Sequence, residues 1–206
     1  RWEDAVSYIK AKNSKHTVLL TTNGTRINTY IDRIVKSPID KILWTWRKEA
    51  RFKPETKEKL RKWGKFTVRF INEVTLPEAY EEWKTWGNVE RRVLHNYGGN
   101  IDLKNISRNT TSSEMFTQVQ PLNLQNGKRW PCYHLWLAPA VGWNGSVLLC
   151  CADPHQKEVL GKFPEQTVAE VWTGTKLESI RQSHLSKQYS GICKDCDVWK
   201  QYPSLF

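Results

Sequence analysis

The first hundred residues alternate between two hydrophobic periods. In WEDAVSYIKAKN the apolar positions Trp2, Ala5, Val6 and Ile9 recur at helical spacing. HTVLLTTNGT follows as a short apolar run closed by an Asn-Gly pair, which reads as a buried strand ending in a turn. RINTYIDRIVKS returns to the helical period and DKILWTW is a second strand. KPETKEKLRKWG opens on an early proline and closes on Gly64, the punctuation of helix ends. KFTVRFINEV is the third strand, LPEAYEEWKTWG a helix with the same proline and glycine marks, and VERRVLHNYGG the fourth strand.

Strand and helix in alternation with short connections predict parallel βα units, hence an α/β fold built as a (β/α) barrel or a doubly wound sheet. Ligands in such folds gather at the C-terminal ends of the strands. Those ends are Thr22-Asn23-Gly24, Thr45-Trp46-Arg47, Ile71-Asn72-Glu73 and His95-Asn96-Tyr97. Asn23, Thr45, Arg69, Asn72 and His95 are therefore candidates to line a cavity, although His95 also reads simply as a hydrogen-bonded core histidine. Four strands are too few to close a barrel, and no strand precedes the first helix. The front of the barrel is expected to lie outside this sequence.

After Asn100 the periodicity dissolves. Residues 101–130 are polar, rich in Asn, Ser and Thr, and read as a linker between a first domain at 1–100 and a second at 131–206. Within the second, AVGWNGSVLLCC reads as a two-residue hairpin with Asn144-Gly145 as its type I′ turn. Two short helices follow, and Thr167 with Glu170 and Thr175 with Glu178 both fit the capping-box spacing.

Composition narrows the class. A chain of 206 residues with 39% hydrophobic content can bury a core in one domain or two. No apolar run approaches the roughly 20 residues that span a bilayer, and no signal peptide is evident; a cytoplasmic protein without membrane partners is expected. The sequence begins at Arg1 rather than Met, as a fragment or processed product would. Eleven tryptophans run its whole length and are read chiefly as core and packing residues.

The net charge is +11, and Arg47–Lys65 holds nine basic and three acidic residues. Such a run is usually the solvated face of a helix, with Lys57, Arg61 and Glu58, Lys62 at i, i+4 spacing. Its other reading is an attractor for nucleic acid, an acidic peptide or a phosphorylated partner. The Asn-x-Ser/Thr sequences at Asn23, Asn105, Asn109 and Asn144 are read as fortuitous, because nothing else points to secretion.

The chemistry lies in the cysteines. All five fall in the last 75 residues: Cys132, Cys150, Cys151, and the Cys193-x-x-Cys196 pair. A C-x-x-C turn can aim two sulfurs at one point while backbone N–H groups turn toward them. With Cys132 and Cys150 it makes four thiols, enough for an iron–sulfur cluster or a tetrahedral zinc. Two disulfides or unlinked core thiols are the other readings. Hairpin register does not by itself bring Cys132 and Cys150 together; they meet only if YHLWLA bends back. Cys151 points to the opposite strand face and reads as a buried thiol.

In order, RWPCYHLW, the Asn144-Gly145 turn, LCCAD, LGKF, TVAEVWTG, LESIRQSHL and CKDC resemble the SPASM domain of radical S-adenosylmethionine (SAM) enzymes. The family signature C-x(9–15)-G-x4-C appears as Cys132, Gly145 and Cys150. The resemblance covers about 70 residues. It implies that Cys132, Cys150, Cys193 and Cys196 ligate one auxiliary [4Fe-4S] cluster. Longer relatives carry a second cluster past the C-x-x-C, but here Tyr202 stands where a further cysteine would be sought.

The first hundred residues resemble the back of the family's partial (β/α)6 barrel, with LLTTNGT as its third strand and turn. DKILWTWRK sits where relatives read D-x-I-x-I-S-I-D-G, so Thr45 takes the serine position and Arg47 the aspartate position. The C-x3-C-x2-C loop that holds the SAM-cleaving cluster is absent, as is the glycine-rich SAM-binding segment.

The resemblance thus implies the C-terminal portion of a radical SAM/SPASM enzyme acting on a peptide or small-molecule substrate, served by an electron donor protein. By itself the chain is not expected to cleave SAM. SAM and a second [4Fe-4S] cluster are expected only with the missing N-terminal part, where Asn23, Thr45, Arg69 and His95 would border the SAM or substrate cavity. The alternative is a non-catalytic, basic zinc or iron–sulfur module that binds RNA or an acidic partner, nucleic acid being the lesser candidate.

Overall fold

The structure, a computed structural model, describes residues 2–71, 77–86, 88–92 and 129–201. These fall into two compact units, residues 2–92 and 129–201. The expected linker lies outside the described residues apart from its last two positions, as do Asn72, His95 and Tyr202.

The first unit runs α1 (Trp2–Lys12), β1 (Leu19–Thr22), α2 (Ile27–Lys36), β2 (Lys41–Thr45), α3 (Pro54–Trp63), β3 (Phe66–Ile71), α4 (Pro77–Lys84) and β4 (Val89–Arg92). Every predicted strand and helix of this half is present. The four strands pair in parallel in the order β1-β2-β3-β4. β1 at the edge alternates exposed and half-buried positions, whereas Ile42, Leu43 and Trp44 of β2 are all buried. A strand covered on both faces needs this continuous apolar run.

Trp44 is the hub. It is 1% exposed, its ring lies 4.3 Å from Phe52 and 5.0 Å from Trp83, and its Nε1 donates to the Asn23 carbonyl at 3.0 Å. The indole N–H is thereby paired, as burial of tryptophan requires. Ile27, Ile31 and Ile34 of α2 and Thr56 and Leu60 of α3 face the same core. α3 has proline in its first turn and ends on Gly64 in the left-handed conformation.

The basic run is mostly tied down. Lys57 pairs with Glu82 at 2.6 Å, Lys62 with Glu58 at 3.3 Å, and Lys59 with Asp32. Lys57 and Arg61 also lie over the Trp86 ring. Of these ion pairs only Glu58–Lys62 follows the i, i+4 spacing; the other two join α3 to α4 and α2.

The second unit comprises α5 (His134–Leu137), β5 (Ala140–Val141), β6 (Ser146–Leu148), β7 (Val159–Lys162), α6 (Val168–Trp172) and α7 (Thr175–Leu185), then two 3₁₀ turns at Gly191–Cys193 and Val198–Gln201. The strands form an antiparallel sheet, β5-β6-β7.

Two expectations change here. The hairpin pairs Ala140 with Leu148 and Val141 with Val147, and Gly142 N–H bonds to the Ser146 carbonyl at 2.8 Å. Its loop is therefore three residues, Trp143 to Gly145, rather than a two-residue type I′ turn, and the register moves by one. Gly145 alone takes the left-handed conformation, at φ +85°, which is the bulge position of three-residue loops. A Cβ there would meet the Phe163 carbonyl oxygen at 2.4 Å, so strand β7 passes too close for any side chain.

Thr167 and Glu170 form the capping box as expected. Thr175 does not: α7 begins one residue earlier, capped by Gly174, whose carbonyl accepts the Glu178 N–H at 3.1 Å. The Glu178 carboxylate instead accepts from Gln182 at 2.8 Å. Among the described residues no helix is long and apolar enough to cross a membrane.

Candidate metal centre

α5 supplies the bend that a straight hairpin lacked. Cys132 lies just ahead of this single-turn helix, which buries Leu135 against Leu149, Leu177 and Ile192. Cys150 follows β6, where Leu149 N–H bonds to the Glu158 carbonyl at 3.0 Å. Cys193 ends the 3₁₀ turn beyond α7, and Cys196 lies between it and the next 3₁₀ turn. The apolar cluster thus draws three separated stretches together, and Cys132, Cys150, Cys193 and Cys196 line one cavity.

The terminal knuckle is held by its own backbone. Cys193 N–H bonds to the Ser190 carbonyl, Lys194 N–H to Gly191 and Cys196 N–H to Cys193, at 3.0, 3.2 and 3.3 Å. These three N–H groups thus go to carbonyls rather than to sulfur. Backbone donors lie instead against the other two sulfurs, from His134 to Cys132 and from Ala152 to Cys150. Gly191 opens the knuckle at φ +52°, and a Cβ there would stand 2.1 Å from a Glu158 carboxylate oxygen.

Burial dominates the electrostatics. It pushes the Cys132 thiol up to about 11, with the nearby Cys196 adding to the rise. Cys150 and Cys193 are each pushed up to about 12, burial first and neighbouring thiols after it. These three buried thiols therefore hold their protons, and a metal centre among them would reverse that balance.

Cys151 corrects the sequence reading. It was expected to be a buried thiol, but it is exposed. The strand β6 ends at Leu148, so strict alternation no longer governs the positions after it.

Sequence reasoning passed over two residues of the cavity wall. Arg129 donates to the carbonyls of Cys193 at 2.6 Å and Lys194 at 2.9 Å, and its guanidinium lies 3.7 Å over the Tyr189 ring. This cation ties the chain ahead of Cys132 to the knuckle. His184, 1% exposed, accepts the Cys132 N–H on Nδ1 at 3.3 Å. Burial and the Arg129 charge lower its pKa to about 4, so the ring is neutral. A signal for His184 was available: it continues the apolar stripe Leu177, Ile180 of α7, where a polar residue needs a reason.

The wall suits a soft, electron-rich group. Its ligand atoms are thiols, the donors preferred by zinc and iron–sulfur clusters. Arg129 Nε and His184 Nε2 are buried with no hydrogen-bond partner, and buried donors are seldom left so. A guest with acceptor sulfurs and net negative charge answers both features. Among the described residues no three His, Cys, Asp or Glu side chains are grouped as ligands of a single metal ion.

Of the strand-end candidates of the first unit, Asn23, Thr45 and Arg69 fall among the described residues. Thr45 pairs with Arg69 across β2 and β3, but the Arg69 guanidinium is paired with Glu90 at 3.4 Å on β4. The exposed Asn23 side chain accepts from the Thr25 N–H and hydroxyl within its own turn.

Comparison with known proteins agrees with this geometry. Residues 132–197 match the family model of SPASM, an iron-sulfur cluster-binding domain. The chain is 29% identical over 75 residues to an uncharacterized protein of Treponema pallidum (strain Nichols), covering 36% of this chain and 20% of that one. It is 37% identical over 57 residues to the S-adenosyl-L-methionine-dependent 2-deoxy-scyllo-inosamine dehydrogenase of Niallia circulans, covering 26% and 22%. The matches thus span about a fifth of the length of these curated relatives.

Among solved structures, BtrN in complex with AdoMet and 2-DOIA superposes on 99% of this chain and 70% of its own, with a TM-score of 0.64 at 21% identity. That likeness establishes the fold alone, an α/β architecture with a parallel sheet. The resemblance of residues 132–197 to a SPASM domain holds.

Proposed function

We propose that Cys132, Cys150, Cys193 and Cys196 hold an auxiliary [4Fe-4S] cluster in the C-terminal portion of a radical SAM/SPASM enzyme. One observation carries this: within the segment that matches an iron-sulfur cluster-binding family, these four thiols line one cavity. When bound, such a cluster supplies one-electron transfer or a binding point for substrate, at a potential set by hydrogen bonds and burial. The chain's own residues orient the sulfurs, exclude water through Leu135, Leu149 and Ile192, and place the Arg129 cation on the wall.

The first unit is read as the back half of a partial (β/α) barrel. Its sequential parallel order supports this, since a doubly wound sheet reverses direction at a switch point. SAM cleavage belongs to a longer protein that carries the three-cysteine loop and a second [4Fe-4S] cluster. There, Asn23, Thr45, Arg69 and His95 would border the SAM or substrate cavity. Of the two substrate classes, the Niallia circulans enzyme's name favours a small polar molecule over a peptide. An electron donor protein and a cytoplasmic setting complete the reading.

The test is anaerobic purification with iron, sulfide and zinc analysis and electron paramagnetic resonance. Wild type and C151S should each hold roughly four irons per chain with matching sulfide, and C150S markedly less. One zinc per chain without sulfide, or equal iron in C150S and wild type, overturns the assignment.

A further inference from the structure

His184 stands apart from the other groups on the cavity wall. It is neither one of the four thiols nor a surface residue; it is an imidazole at 1% exposure in the last turn of α7. Both of its faces are accounted for. Its Nδ1 accepts the backbone N–H of Cys132 at 3.3 Å, and its ring meets Tyr189 edge-on at 4.9 Å.

Accepting on Nδ1 fixes the tautomer, because a neutral imidazole that accepts on one nitrogen carries its proton on the other. The proton therefore sits on Nε2, across the ring from the Cys132 backbone. That N–H is buried and has no partner, while His184 itself lines the cavity shared by the four thiols. A fixed, buried, unspent donor at the edge of a ligand cavity is costly when left unpaired. It is explained if a guest supplies the acceptor.

We infer that His184 is a positioning residue that bridges the Cys132 backbone and the bound group, donating its Nε2–H to a sulfur of that group. This rests on the cluster reading above. The bond would do two things. It would hold the Cys132 segment at a fixed distance from the cluster, and it would favour the reduced form, whose extra negative charge makes a better acceptor. No proton is transferred and no bond is formed or broken.

Two substitutions separate the two ends of the ring. Asn can keep an acceptor near the position of Nδ1 but has no donor where Nε2 lies. Gln can place its amide N–H near Nε2 but forfeits the Cys132 contact. The measurement is the midpoint potential of the cluster in the anaerobically purified chain, followed by electron paramagnetic resonance, together with iron and sulfide content.

The expected result is that H184N lowers the potential by about tenfold in the reduction equilibrium, ~59 mV for one electron, while H184Q stays near wild type. Equal potentials in loaded wild type and H184N overturn the hydrogen bond and leave the cluster reading standing. A wild-type chain that holds no iron and sulfide overturns the cluster reading itself.

Should H184N fail to load, the chain is labelled with ¹⁵N-histidine in the H134Q background, where His184 is the remaining imidazole of the cavity wall. A ring-nitrogen coupling to the reduced cluster supports the bond. Its absence overturns it.

Discussion

Replacing Arg129 by Ala should weaken the second unit more than any other single change on the surface of the site. The side chain makes two charge-assisted bonds to the Cys193 and Lys194 carbonyls, at 2.6 and 2.9 Å, and lies over the Tyr189 ring. Taking each bond at the lower end for a charged donor, because the group is half-exposed, and adding a modest cation–π contribution gives a loss of about 3.5 kcal/mol. Against a typical stability of roughly 5–15 kcal/mol, that is a large fraction. The assay is urea denaturation of the metal-free chain, read from amide hydrogen exchange in the second unit, residues 129–201. R129K should recover less than half the loss, since an ammonium cannot reach both carbonyls with the fork of a guanidinium. If R129A lies within about 0.5 kcal/mol of wild type, the range of an ordinary surface change, the claim that this residue ties the Cys132 stretch to the terminal knuckle is refuted.

Acid should act on the first unit through Asp40. Its carboxylate accepts from Lys10 Nζ at 2.6 Å and from the Val18 N–H at 2.7 Å, and the Lys10 hydrogen bond, ahead of Val18, holds its pKa below the usual 3.8. The folded chain then binds fewer protons than the unfolded chain just below pH 3.8, so the contribution is present above 3.8 and is lost as pH falls through the lower folded value. Thermal melts should therefore show D40N below wild type at pH 7 and the two converging as the pH drops below 3.8; a constant gap would contradict this. Two glycines give a matched pair. Gly64 has φ +71° with nothing within 4 Å of an added Cβ, so G64A should cost only the left-handed penalty, roughly 1–2 kcal/mol. Gly145 has φ +85° and a backbone oxygen in the way, so G145A should cost clearly more; equal losses in chemical denaturation would mean the β7 approach is looser than described.

The sequence by itself determined the parallel α/β half almost completely. The central strand β2 is the run Ile42-Leu43-Trp44, and α2 carries the stripe Ile27, Ile31, Ile34. Local periodicity and parallel pairing agree, so neighbours in sequence already state the fold. Cys193 and Cys196 were legible as a pair from their C-x-x-C spacing, whereas spacing alone did not bring Cys132 and Cys150 to the same cavity. What only the tertiary structure decided lies between distant stretches. The one-residue change of hairpin register follows from the passage of β7 past Gly145, and the exposure of Cys151 from the early end of β6 at Leu148. Arg129 and His184 reach across 64 and 52 residues of chain to Cys193 and Cys132. Hydrophobic period records which way a side chain faces along its own element, but it carries no term for which remote backbone group will stand 3 Å away once the core has closed.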